Sequence, residues 1–170
     1  MTRRQRIRRA ALLCIHCLRN IAFYSTSRRN GIPIYDNEFW AIVNNNSLDI
    51  YLLEWCKLFA DSRGKHYWRK VITDHVIFLD GMLSTLSMTE EEFEVYIVEV
   101  KSYRDKFVAH LDSDEVMHIP YLDVAKRSAS YLYDYLRNYE DNGNYINEAQ
   151  DNVETRFNCW TEIGEAIYDE

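Results

Sequence analysis

TEEEFEVYIVEVKSYRDKFVAHLD, Thr89 to Asp112, is the stretch from which the rest of the chain is read. Thr89 is a capping residue, and Glu92 stands three positions on, the spacing of a capping box. Glu90, Glu91 and Glu92 suit the positive end of a helix dipole. Phe93, Ile97, Val100, Phe107 and Leu111 then recur at helical period and predict a core-facing stripe. At about 100° per residue Arg104 falls inside that stripe, between Val100 and Phe107. A buried guanidinium has to find partners, because an unpaired charge away from water is costly. His110 lies about 120° round from Arg104 and about 9 Å further along a straight helix, on the side that carries Tyr96 and Tyr103.

Outward from this helix, the chain reads as five to six helices. One is expected from about 4 to 27, with Ile7, Ala11, Cys14, Leu18, Ile21 and Ala22 along one side. Asn30-Gly31-Ile32-Pro33 breaks it, and the following IPIY is read as an extended connector. A second helix runs from about 36 to 60, with a kink or a division into two shorter helices expected at Asn44-Asn45-Asn46, since asparagine competes for backbone hydrogen bonds. A third is expected from about 66 to 86, a fifth from 121 to 139 and a last from 146 to 168. No strand alternation persists, and the expected fold is an all-α bundle in one domain over 1–170, with its core at about 4–140.

The segment Arg104-Asp-Lys-Phe-Val-Ala-His110 resembles the R-x(4–6)-H signature of HEPN domains, the higher-eukaryote and prokaryote nucleotide-binding family. Within that family YRDKFVAHLD is similar to the AbiU-like, abortive-infection-associated branch. NNNSLDIYLLEWCKLF (44–59) and HYW (66–68) resemble that branch too, so the similarity runs from about 10 to 140. The resemblance implies a HEPN-like helical bundle whose two copies pair through these helices to form a shared cleft. It implies a metal-independent endoribonuclease of toxin–antitoxin or phage-defence type, leaving 2′,3′-cyclic phosphate and 5′-hydroxyl ends. No cofactor or metal is implied; the partners implied are RNA, a second copy of the chain, and an antitoxin or nucleotidyltransferase.

The residues suit that chemistry. RNA cleavage without a metal needs groups to move the 2′-OH and 5′-oxygen protons and fixed positive charge to meet the phosphorane. Histidine titrates near neutrality, and arginine is a permanent, forked phosphate ligand. Arg104 and His110 are therefore the candidate catalytic pair. Asp105, Lys106, Tyr103 and His66 are candidate supporting residues: Asp105 to orient Arg104 or His110, Lys106 as a secondary phosphate contact, His66 as a cleft-lining group. Two other readings stay open. Arg104 pairing with an acidic residue on a neighbouring helix would make it a structural tie in a plain helical protein. A HEPN module without catalysis, binding a partner protein or a nucleotide, is the other.

Charge is uneven. Residues 1–29 hold eight arginines and no acids, whereas residues 112–170 hold four bases and 14 acids, and the chain totals −7. That balance argues against a general polyanion binder. The basic first segment is either a phosphate contact or a solvated end that pairs with the acidic C-terminal helices. Cys14-x-x-Cys17 lies on an apolar helix face with no second ligand pair at metal spacing, so buried free thiols are expected. No apolar run approaches the roughly 20 residues of a membrane span. The short apolar stretch after Arg3–Arg9 lacks the features of a signal peptide, and a cytoplasmic chain is expected.

Overall fold

The structure, a computed structural model, describes residues 1–108, 118–141, 146 and 152–168, with backbone alone at 107 and 108. Among the described residues it is an all-α bundle of six helices with one two-residue hairpin. The helices are α1 (Arg3–Thr26), α2 (Glu38–Phe59), α3 (His75–Leu86), α4 (Glu90–Tyr103), α5 (Leu122–Tyr135) and α6 (Val153–Tyr168). β1 (Arg28–Arg29) and β2 (Ile32–Pro33) pair antiparallel between α1 and α2.

α1 is the spine. Its apolar side, Ile7, Ala10, Ala11, Cys14, Cys17, Leu18, Ile21 and Ala22, is buried against α2, α5 and α6. A small residue lets α6 approach: a methyl group at Gly164 would fall on the Thr26 hydroxyl and within 3.1 Å of its Cβ and Cγ2. Trp55 of α2 sits in the middle of the core. It stacks on Phe59, meets Phe93 and Tyr96 of α4 edge-on, and donates its indole N–H to the Ser128 hydroxyl at 2.9 Å. A buried indole thus keeps its one polar atom satisfied.

The capping box at the start of α4 is formed, with Glu92 N–H donating to the Thr89 hydroxyl and Thr89 N–H to the Glu92 carboxylate. The buried stripe of α4 is Phe93, Tyr96, Val100 and Tyr103. The stripe expected from the spacing does not include the two tyrosines. Tyr96 is accommodated inside because its hydroxyl donates to the Tyr121 carbonyl at 2.9 Å.

Four local expectations are corrected. Asn30-Gly31 is not a simple break: both residues have positive φ (53° and 78°), as the two central positions of a type I′ hairpin turn require. α2 runs without interruption through Asn44–Asn46, because the Asn44 amide donates back to the Trp40 carbonyl and exchanges hydrogen bonds with the Tyr168 hydroxyl. The third helix begins at His75, not 66. Residues 68–70 form one 3₁₀ turn. Thr73 then gives both its N–H (2.6 Å) and its hydroxyl (2.8 Å) to Glu140, so the backbone leaves the helical path until Asp74 caps α3 through Ile77 N–H. Finally, Ile146 lies outside a helix, and α6 starts at Val153.

Cys14, Cys17 and Cys56 are buried, and Cys159 is exposed. Burial pushes all three inner thiols up, Cys56 to about 12. Thiols in an unfolded chain ionise near about 8.5. The native state therefore holds protons that the unfolded state releases above that pH. Stability is full below it and falls as pH rises towards the folded-state values, by roughly 1.4 kcal/mol per pH unit per thiol. Urea midpoints should be flat between about pH 6 and 8 and drop steeply above about pH 9. Ellman's reagent should find one reactive thiol in the native protein and four after denaturation. A midpoint indifferent to alkali, or three native thiols reacting, would contradict this packing.

Candidate functional site

α4 ends where Arg104 begins a π turn, Arg104–Val108. Such turns widen a helix locally and are frequent at functional sites. The Arg104 side chain is 14% exposed, and its guanidinium is met by two carboxylates. One terminal nitrogen donates to Asp61 Oδ1 at 2.7 Å. Nε donates to Asp105 Oδ1 at 2.9 Å, and the other terminal nitrogen lies 2.8 Å from the same oxygen. The Cys56 sulfur is a further hydrogen-bond partner. These contacts take up most of the five guanidinium donors.

The electrostatics follow from the geometry. Burial alone would lower the Arg104 pKa, but the hydrogen bonds it donates to Asp61 and Asp105 outweigh that and push it up. The charge on Arg104 is thus fixed at every pH a cell meets. At Cys56, burial is the larger effect, and the neighbouring guanidinium only partly offsets it.

Asp61 is held in place by the end of α2. Its N–H donates to the Cys56 carbonyl at 2.8 Å, and its own carbonyl accepts from Gly64 N–H at 2.7 Å. A Cβ at position 64 would come within 2.9 Å of that carbonyl oxygen, so the turn that presents Asp61 requires glycine. Asp105 reaches Arg104 although adjacent residues on a regular helix do not face one another; the contact is made on the π turn.

The other predicted residues are placed apart from this cluster or beside it. Lys106 is exposed on the π turn, next to Asp105. Tyr103 points inward, its hydroxyl pushed up by burial and by Asp49 and Tyr24, so it stays protonated and belongs to the core. His66 lies in the loop that follows α2. Burial lowers its pKa, assisted by Arg9, Lys57 and Lys65 and opposed by Glu54. Among the described residues, no contact joins His66 to Arg104. His110 lies outside the described residues, as do Leu111 and Asp112.

Asp61 and Cys56 were not singled out from the sequence. A buried arginine demands an acidic partner, but nothing local to Arg104 says which acid, 43 residues away, will supply it. Compared with family models, curated proteins and solved structures, the chain matches none.

Asp61→Asn removes one of the two charges that hold Arg104. Asp61 is 37% exposed, so the expected cost is about 1–2 kcal/mol in urea unfolding, because solvent screening brings it to or below the low end of the range for hydrogen bonds to charged groups. Asp105→Asn, at 51% exposed, should cost less, about 0.5 kcal/mol. A larger loss from Asp105→Asn than from Asp61→Asn would mean that the tie to the end of α2 does not govern the site.

Proposed function

We propose that the chain is a metal-independent endoribonuclease of HEPN type, working as a homodimer in a cytoplasmic toxin or phage-defence system. Arg104 binds the scissile phosphate, and His110 moves the protons. In the cleavage step an imidazole takes the proton of a ribose 2′-OH. The freed 2′-oxygen attacks phosphorus, the P–O5′ bond breaks, and the departing 5′-oxygen takes up a proton. The products are a 2′,3′-cyclic phosphate and a 5′-hydroxyl. One subunit supplies one arginine and one histidine of this motif; pairing two copies provides a second set, so that base and acid need not be the same imidazole.

The observation that carries the reading is the setting of Arg104. A permanent cation stands at the wide turn ending α4, oriented by Asp61 and Asp105 and still reaching solvent. Charge fixed in advance is what stabilises a developing phosphorane without reorganisation. Asp105 orients the arginine in this account, Lys106 is a peripheral phosphate contact, and Tyr103 is structural.

One observation favours a second reading. Two carboxylates facing one guanidinium leave the cluster with a net negative charge, which opposes an incoming phosphate. On that reading the chain is a HEPN interaction module without catalysis, binding a partner such as an antitoxin, a nucleotidyltransferase or a nucleotide, and Arg104 ties α4 to the end of α2.

Purified protein incubated with total RNA in excess EDTA separates the two. Cleavage under chelation is expected, with a cyclic phosphate at the new 3′ ends. Arg104→Ala and His110→Ala should each slow it by roughly 10²–10⁴-fold while leaving the helical circular dichroism unchanged. Full activity in either variant removes the assignment, and no cleavage by the unaltered chain at any concentration supports the interaction module.

A further inference from the structure

Two cation-rich parts of the chain, distant in sequence, come together at the N-terminal half of α1. Arg3, Arg6 and Arg9 recur every third residue and lie towards one side of the helix. Arg3 donates to the Val71 carbonyl at 3.2 Å and Arg6 to the Lys70 carbonyl at 3.3 Å. Lys70 in turn donates to the Arg63 carbonyl at 2.9 Å. Arg69 lies over the Trp68 ring, 4.6 Å from its centre, and Arg9, Lys57 and Lys65 surround His66 with positive charge.

Some of these charges are answered within the fold. Arg3 meets Glu140, Lys57 meets Glu54 at 3.0 Å, and Arg69 reaches Glu90 at 3.6 Å. Among the described residues, no carboxylate pairs with Arg6, Arg9, Arg63, Lys65 or Lys70. Arg9, Arg63, Lys65 and Lys70 are exposed. Two nitrogens in the same group, Nε of Arg6 and Nε2 of His66, are withdrawn from water without a hydrogen-bond partner. Gathering like charges costs self-repulsion in the free protein, and a chain of net charge −7 has acids enough to answer them. The apolar side chains among these cations, Ile7, Trp68 and Val71, are buried, so the patch has little to insert into a bilayer.

We propose that the N-terminal side of α1 and the 63–70 loop form a track for the backbone of single-stranded RNA. Arg6, Arg9, Arg63, Lys65 and Lys70 take phosphates along it, and His66 sits among them. The ligand rests on the ribonuclease reading given above, and the track deepens that reading. The connection between α2 and the track begins at Asp61, the carboxylate that holds Arg104, so the strand-binding surface and the proposed phosphate ligand hang on one segment. His66 is lowered chiefly by burial and then by the cations around it, and an anion on the track would offset the second of these; its facing groups are Arg9 on α1, Glu54 and Lys57 on α2, and Lys65 on the loop.

The test measures binding of a fluorescein-labelled 2′-O-methyl RNA oligonucleotide, which has no 2′-OH and cannot be cut, across a salt series. Arg9→Gln with Lys65→Gln removes two exposed cations that make no hydrogen bond or ion pair among the described residues. The expected result is about a tenfold loss of affinity and a salt slope shallower by about 1.4, at roughly 0.7 per phosphate for a single strand. Arg19→Gln with Arg29→Gln, an equal charge removed elsewhere, should leave the slope alone. In the unaltered protein the His66 titration, followed by NMR, should move to higher pH when the oligonucleotide binds. Unchanged affinity and slope in the Arg9/Lys65 variant overturn the track, as does binding to phosphatidylserine vesicles with none to the oligonucleotide. If the unaltered chain binds with the expected slope yet never cuts ordinary RNA, the nuclease reading fails and the track stands. If it cuts RNA and the variant binds as before, the reverse holds.

Discussion

A guanidinium taken largely out of water has to be met by negative charge, and that requirement shapes the end of this bundle. Arg104 stands where α4 would bury an apolar side chain. Its charge is answered by Asp61 from beyond α2 and by Asp105 from its own turn. Both answers need unusual backbone. Asp61 is presented by a turn that only glycine at 64 permits, and Asp105 acts from a widened π turn. The ion pairs therefore lock the C-terminal ends of α2 and α4 to each other. Trp55, one turn earlier on α2 and packed against Phe93 and Tyr96, provides the apolar half of the same contact.

A second charged cluster does the corresponding work at the start of α1. Glu140, only 4% exposed in its side chain, accepts from Arg3 and twice from Thr73. A buried carboxylate is tolerable only when its oxygens are so occupied. This one joins the start of α1, the approach to α3 and the π turn after α5. It also neutralises one arginine of the basic first segment. The solvated-end account of that segment is thus correct for Arg3, while Arg6 and Arg9 are left facing the 63–70 loop.

What could be read from the residues alone was whatever is decided locally. The capping box at Thr89 and Glu92, the stripe of α1 and the all-α class all follow from spacing over a few turns. Most of the errors share a cause. Trp68, Val71 and Ile72 continue a helical rhythm, but Glu140, far along the chain, captures Thr73 and stops the helix. The asparagines at 44–46 were expected to break α2, and Tyr168 on the last helix satisfies the first of them. Tyr96 and Tyr103 fall outside the stripe that spacing predicts, yet the fold buries both. The Asn30-Gly31 hairpin was a local signal, passed over because two-residue strands show no alternation. At the candidate site the need for an acidic partner was legible and its identity was not, since only the fold brings Asp61 to Arg104.

Whether Arg104 exists to hold a phosphate or merely to balance Asp61 is decided most directly by removing both. In an Arg104→Ala, Asp61→Ala double variant the stranded carboxylate is gone, and stability should recover most of what Arg104→Ala loses. RNA cleavage under chelation should nevertheless stay at the level of the single Arg104 variant, because the phosphate has lost its ligand. Restoration of cleavage together with stability would show that the arginine serves the fold alone, and the proposed catalytic role would fall.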